Sequence, residues 1–296
     1  MSGGEQAVRP GRFFLGCAVW AHGGWLGGFY PTGARPERYL DLYAERLTAV
    51  EGNTTFYSVP DETTLRSWRS RLPEGFRFLP KLPRSVTHEG ALVPRAAAAE
   101  SFAWHMAALG SRLGPIFAQL PPTYGIELEE DLIRFLETWP RGAPPLLLEL
   151  RNTSWYGEEV RTRLEPTLAG LGVGRVVLDT RPIYEHGHVP QERRKPRLPV
   201  IPRATARTAM LRLVGNPDTS HNGPYIDQWA TRIDTWLRQG RDVYAFAHCP
   251  VEDHSPGIAR ALQGRLEQLG APVPPLPWAG VRQEEQLDLF ESESGS

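Results

Sequence analysis

The chain has 296 residues and a mass of 33.1 kDa, with 41% apolar and 23% charged residues. That is the balance of a globular protein large enough to bury a core without staples. Lys plus Arg is 33 and Asp plus Glu is 34, a formal charge of −1, which excludes a surface that is basic throughout but not a local basic groove. Two cysteines, Cys17 and Cys249, exclude a disulfide framework.

Residues 1–11 are polar and Gly-containing, and are expected to form a frayed start. MSGGEQAVRPGR lacks the apolar core of a secretory leader, and no apolar run approaches the ~20 residues of a spanning helix. A cytoplasmic protein with no membrane partner is expected. From residue 12 to about residue 270, short apolar runs alternate with amphipathic stretches, the pattern of a parallel sheet with crossover helices. The runs predict strands over Phe13–Val19, Ala49–Gly52, Phe76–Lys81, Pro115–Leu120, Leu146–Glu149, Arg175–Leu178, Met210–Val214 and Val243–Ala247. Helices are predicted between them. Glu37–Arg46 leads to Leu47, with Tyr39, Leu40, Leu42 and Tyr43 at helical spacing, and Glu62–Leu72 follows Asp61 as an N-cap. Ala96–Leu113, Leu128–Trp139, Glu158–Leu171, Tyr225–Arg238 and Pro256–Leu269 complete the set. Arg181–Arg207 holds five prolines and no helical period, so a long Pro/Arg-rich loop replaces one helix.

Eight strands alternating with seven helices predict an α/β fold of the (β/α)8 TIM-like barrel type. The alternative, an open doubly wound sheet, lacks a GxGxxG after the first strand. The expected organisation is a disordered start (1–11), one barrel domain (12–276) and a flexible, disordered tail (277–296).

Barrels place catalytic groups at the C-terminal ends of their strands. Every predicted strand ends there in a charged, polar or aromatic residue. The candidate catalytic groups are Glu51, Lys81, Glu149, Asp179 and His248. Carboxylates beside cations serve as bases, and desolvated ones as acids. Around them, the candidate substrate-binding residues are Trp20, Trp25, Tyr30, Asn53, Tyr57, His88, Gln119, Arg151, Trp155, Arg181, Arg212 and Asn216. The aromatics suit sugars or bases by stacking and the cations suit an anion. Salt bridging that merely orders the rim is the competing reading for Glu149. A divalent metal held by His88, His248, Glu149 and Asp179 is a weaker alternative, because no HxH, HExxH or CxxC spacing is present. Arg193, Arg194, Lys195, Arg197, Arg203 and Arg207 read as a solvated loop or as a basic patch for a polyanion. Glu149→Gln and Lys81→Ala are each expected to abolish function with little loss of stability.

The segments GCAVWAHGGWLGGFYP, VEGNTTFYSVPDETTLRSWRSRLPEGFRFLPKLPRSVTH, LGPIFAQLPP and LELRNTSWY occur in this order. Over about residues 13–270 the chain resembles the YecE-like proteins, domain-of-unknown-function family 72. The resemblance implies a TIM-barrel-like fold and names no reaction. It carries over to Trp20, Phe29, Tyr30, Glu51, Asn53, Thr55, Phe56, Tyr57, Trp68, Lys81, His88, Gln119, Glu149, Arg151, Trp155 and Asp179. Two departures stand out. Ala18-Val19-Trp20 replaces a Ser-Gly-Trp pattern, and FAHCP replaces an Asn-rich end of the eighth strand. Any role of that asparagine pair therefore does not carry over.

In the acidic tail, Gln286, Leu287, Asp288, Leu289 and Phe290 resemble the pentapeptide that binds the bacterial DNA polymerase sliding clamp. Mouth and tail together predict a nuclease- or glycosylase-like hydrolase of DNA repair, acting on a phosphodiester or N-glycosidic bond and recruited to DNA by the clamp. The alternatives are a small-molecule isomerase or hydrolase of sugar-phosphate type, and a non-catalytic binding barrel.

Overall fold

A computed structural model describes residues 8–186 and 195–280. Its strands are β1 (Phe13–Cys17), β2 (Ala49–Gly52), β3 (Arg77–Pro80), β4 (Ile116–Gln119), β5 (Leu146–Glu149), β6 (Gly174–Asp179), β7 (Thr208–Val214) and β8 (Asp242–His248). The helices are α1 (Tyr39–Ala44), α2 (Glu62–Arg71), α3 (Arg84–Thr87), α4 (Ala96–Met106), α5 (Glu129–Glu137), α6 (Glu158–Gly170), α7 (Arg181–Tyr184), α8 (Gly223–Arg238) and α9 (Ser255–Gln268). All paired strands are parallel.

The expected barrel is met in strand number, direction and chain order, and the structure corrects it in continuity. The curled parallel sheet consists of a six-stranded ladder, β1-β8-β7-β6-β5-β4, and a two-stranded one, β2-β3. At the β3–β4 seam, Gly114 N–H donates to Phe78 O and Leu82 N–H to Phe117 O, each at 2.9 Å. At the β1–β2 seam, one main-chain bond, from Thr48 N–H to Leu15 O at 3.0 Å, is joined by side-chain bridges. Leu15 N–H donates to Thr48 Oγ1 at 2.8 Å, and Cys17 N–H donates to Tyr43 Oη at 2.6 Å. The Tyr43 hydroxyl in turn donates to Ala49 O at 2.9 Å. Gly16 permits this approach, because a β-carbon there would lie 2.0 Å from Ala49 O. Gly16→Ala is expected to destabilise the protein by about 1–3 kcal/mol, as overpacking does, read as a fall in urea midpoint. An unchanged midpoint would show that the seam has slack.

Every strand sends a residue into the core that the curled sheet encloses: Phe14, Ala49, Leu79, Phe117, Leu147, Val176, Met210, and Tyr244 with Phe246. A larger core fills the space between sheet and helices, with Leu65, Phe102, Phe135, Leu164, Trp229 and Leu262 facing the outer sides of the strands. Asp61 caps α2 as expected, accepting from Thr64 N–H at 2.7 Å.

The predicted helix Ala96–Leu113 is divided: α4 stops at Met106, and Ala107–Arg112 continues as a 3-10 segment. Gly110, at φ 56°, breaks the spiral, since that conformation strains any residue with a side chain.

Over its described residues, 180–186 and 195–207, the Pro/Arg-rich connection between β6 and β7 contains the short α7 and no other helix or strand. Its basic residues do not form one patch. Arg203 pairs with Glu165 at 3.0 Å, Arg197 stacks over Tyr184, and Arg207 lies beside Asp242, at the opposite end of the strands. Arg193 and Arg194 lie outside the described residues. The described chain ends in a 3-10 turn, Pro277–Gly280, whose Trp278 packs edge-on against Phe29 at 5.0 Å. Gln286–Phe290 also lies outside the described residues. Among those described, no helix is long and apolar enough to cross a membrane.

Candidate active site at the strand ends

Strand side chains alternate between faces, so two residues beyond each inward core residue lies another inward one. Ala49 leads to Glu51, Leu79 to Lys81, Phe117 to Gln119, Leu147 to Glu149, Met210 to Arg212 and Phe246 to His248. An apolar layer is thus capped by a polar one, and all six polar residues are buried.

Arg212 is its centre. Its Nε and Nη2 donate to Glu51 at 2.9 and 2.6 Å, and its Nη1 donates to Glu149 at 2.5 Å. Arg151 Nε reaches the other Glu149 oxygen at 2.6 Å. Asn53 Nδ2 donates to Glu51 at 2.6 Å and to Ala18 O at 3.0 Å. His248 Nε2 stands 3.2 Å from Glu51 Oε2. Lys81 lies beside this network. Its Nζ donates to Gln119 Oε1 at 2.9 Å and sits 4.1 Å from the centre of the Phe56 ring. Phe117 underlies both Lys81 and Arg212. Thr55 fixes the Lys81 backbone by accepting from its N–H at 3.0 Å and donating to its carbonyl at 2.7 Å.

The electrostatics follow from this geometry. Burial alone would raise both carboxyls, but the arginines outweigh it. Arg212 and His248 hold Glu51 well below the carboxylate range, and Arg212 and Arg151 hold Glu149 at about 2. Both acids are therefore ionised near neutrality, and neither is a proton donor there. Burial, then repulsion from Arg212, lowers Lys81 to about 7, and the same two causes lower Lys195 to about 8. Burial lowers His248 to about 4 against the pull of Glu51. A neutral His248 facing a carboxylate that only accepts must carry its proton on Nε2, which leaves Nδ1 as an acceptor.

The structure therefore brings together Glu51, Asn53, Lys81, Gln119, Glu149, Arg151, Arg212 and His248. His88 lies beside them, its ring edge-on to Phe56 at 4.8 Å and its pKa lowered to about 4 by burial and by Lys81. Asp179 is elsewhere. The inward residue at that level of β6 is Leu178, and Asp179 points the other way. It binds Trp229 Nε1 of α8 at 2.7 Å and a two-pronged Arg181. The expected third carboxylate and its Arg181 thus form an outer clamp, and the suggested metal set of His88, His248, Glu149 and Asp179 is not assembled. No group of three metal-ligating side chains occurs among the described residues.

Most of the expected stacking residues are walls. The Trp25 and Trp155 indoles donate to Glu252 O and Tyr124 O, and Tyr30 donates to Trp20 O. Trp20 packs edge-on against Trp68 and Phe78. Asn216 braces the turn before α8 through Asn222 and Pro182. Tyr57 alone of these aromatics is open, at 81% exposure, with its ring against Phe56. Sequence reasoning did not single out Phe117, named Thr55 only through the family resemblance, and placed Lys195 in a surface patch. Lys195 instead feels Arg212, Glu51, Arg151 and Glu149.

Such a molecule is a parallel α/β protein with an arginine-centred polar site at the C-terminal ends of its strands. The chain belongs to the DUF72 family: the family model described as "Protein of unknown function DUF72" matches residues 14–280. The UPF0759 protein YecE of Escherichia coli K12 is 30% identical over 275 residues, spanning 89% of this chain and 97% of that protein. The UPF0759 protein YunF of Bacillus subtilis is 26% identical over 136 residues, 43% of this chain and 47% of its own length. Among solved structures, a DUF72 family protein of Thermotoga maritima superposes with a TM-score of 0.65 at 20% identity, over 87% of this chain and 98% of its own. One from Enterococcus faecalis gives 0.63 at 18% identity, over 87% and 94%. Both likenesses show the fold.

Proposed function

We propose that the two ladders act as one closed ring and that the chain is an enzyme for a phosphate-bearing substrate held at this mouth. The observation that carries the reading is the imbalance of charge. Lys81, Arg151, Lys195 and Arg212 surround two carboxylates, and Arg212 alone engages both of them. The remaining cations favour an anion, and Arg offers a planar fork that fits phosphate. Glu51 orients His248, whose Nδ1 can accept a proton, and Tyr57 offers an open ring face against Phe56, the ring on which the Lys81 amine rests. Inorganic phosphate is expected to raise the melting temperature of the intact protein, and Arg151→Ala is expected to remove most of that rise. An equal rise in the variant would mean that phosphate binds elsewhere.

A second reading, hydrolysis of a phosphodiester or N-glycosidic bond in DNA, is favoured by the pentapeptide Gln286–Phe290. In it the sliding clamp delivers DNA to the mouth. Removing residues 284–296 is expected to abolish capture by the clamp while leaving the phosphate response intact. Capture that survives the truncation would detach the tail from this reading.

A further inference from the structure

The chain contains two lysines, Lys81 and Lys195, against 31 arginines. Other ion pairs to carboxylates use arginine or histidine, as in Arg12–Asp242, Arg163–Glu129 and Arg238–Asp234. Both lysines instead lie in the field of Arg212, Glu149 and Glu51. Arginine stays charged in proteins, whereas a lysine amine can lose its proton and attack carbon. Both side-chain amines of the protein therefore lie in the field of this one site.

Geometry separates the two. Lys81 is 7% exposed. Its Nζ has Gln119 as its hydrogen-bond acceptor and Phe56 against it, and among the described residues it forms no ion pair. Both carboxylates that would hold it as an ammonium are already bound by Arg212. Its backbone is pinned on both sides by Thr55, so the amine projects from a fixed point into the polar layer.

We propose that Lys81 is a nucleophilic residue whose amine forms an imine with the carbonyl carbon of a phosphate-bearing aldehyde or ketone. This rests on the phosphate-bearing substrate inferred above and adds the carbonyl to it. The neutral amine adds to the carbonyl carbon, forming a C–N bond. The carbonyl π pair moves to oxygen, which takes up a proton while nitrogen loses one. The resulting carbinolamine then breaks its C–O bond. The oxygen takes up a second proton and leaves as water, while nitrogen gives up its remaining proton and closes the C=N bond. Amine plus carbonyl thus gives imine plus water, with no oxidant or reductant. Protonated, the imine withdraws electrons from the neighbouring carbon, which eases loss of a proton or a leaving group there.

The test uses the full chain with glycolaldehyde phosphate as probe and cyanoborohydride to reduce any imine to a stable secondary amine. Peptide mass mapping then has three amines to distinguish: Lys81, Lys195 and the N-terminus. Lys81 is expected to label at least about tenfold faster than the N-terminal amine, because the site holds the probe in place. Inorganic phosphate should suppress that labelling. Lys81→Arg and Lys81→Met should remove the adduct, and Lys195→Arg should keep it. Labelling of Lys81 no faster than the N-terminus, or equal labelling of Lys195, overturns the assignment. Because the mapping is done on the unmutated protein, a variant that fails to fold does not decide it. Glycolaldehyde without phosphate separates the two claims. Equal labelling at Lys81 by both probes overturns the phosphate-bearing class and keeps the amine chemistry. A melting-temperature rise with phosphate but no Lys81 adduct overturns the amine chemistry alone.

Discussion

Arg212→Met is expected to destabilise the protein by about 3–5 kcal/mol, because it leaves two ionised carboxylates buried without their partner. Glu51 and Glu149 are 0% and 1% exposed, so neither can turn to water. Urea unfolding near neutral pH measures the loss. Combining Arg212→Met with Glu51→Gln and Glu149→Gln should restore a substantial part of it, since the uncompensated charges are then gone. If the single variant unfolds at the same urea concentration as the parent, Arg212 is not the keystone described here. The same network revises an expectation from the sequence. Glu149→Gln cannot be silent for stability, because it removes the charge that both Arg212 and Arg151 engage. A loss of about 1–3 kcal/mol is the figure for a buried hydrogen-bonding group left poorly matched. Lys81→Ala removes no ion pair and remains the cleaner probe of function.

Acid should unfold the protein in two overlapping stages. In the native state His248 has a pKa of about 4, against an ordinary value of 6.5. The unfolded chain therefore binds the extra proton between those values, and stability is lost as pH falls through that window. The shift corresponds to at most about 3 kcal/mol. His88 acts with the same sign. Below about 4.5, Glu149 continues the loss towards its own native value of about 2. Unfolding free energies measured across this range should fall with decreasing pH, and His248→Gln should flatten the upper part of the curve. A flat profile in the parent protein would mean that the imidazole is not buried as a neutral base.

Much of this was legible from residue order. Short apolar runs at regular spacing gave the eight strands, because a strand buried on both faces needs uninterrupted apolar residues. Glu51, Lys81, Glu149 and His248 were legible because each follows such a run immediately, and Arg212 because it interrupts one. Asp179 sits at the same kind of boundary, yet one residue of register turns it to the other face, and that phase is set by pairing with β5 and β7. Trp25, Trp155 and Tyr30 looked like a stacking platform because their acceptors are main-chain carbonyls more than 200, about 30 and about 10 residues distant in sequence, respectively. Lys195 depends on the path of a loop without periodicity, although its rarity as a lysine was visible from composition.

One detail of the sheet extends beyond the chemistry at its rim. Where β1 meets β2, a phenol from α1 joins an amide of one strand to a carbonyl of the next. A rivet of this kind ties the circumference of the sheet to the seating of a single six-residue helix. Slackness in α1 would therefore be felt directly as widening of the rim on which Glu51 is mounted.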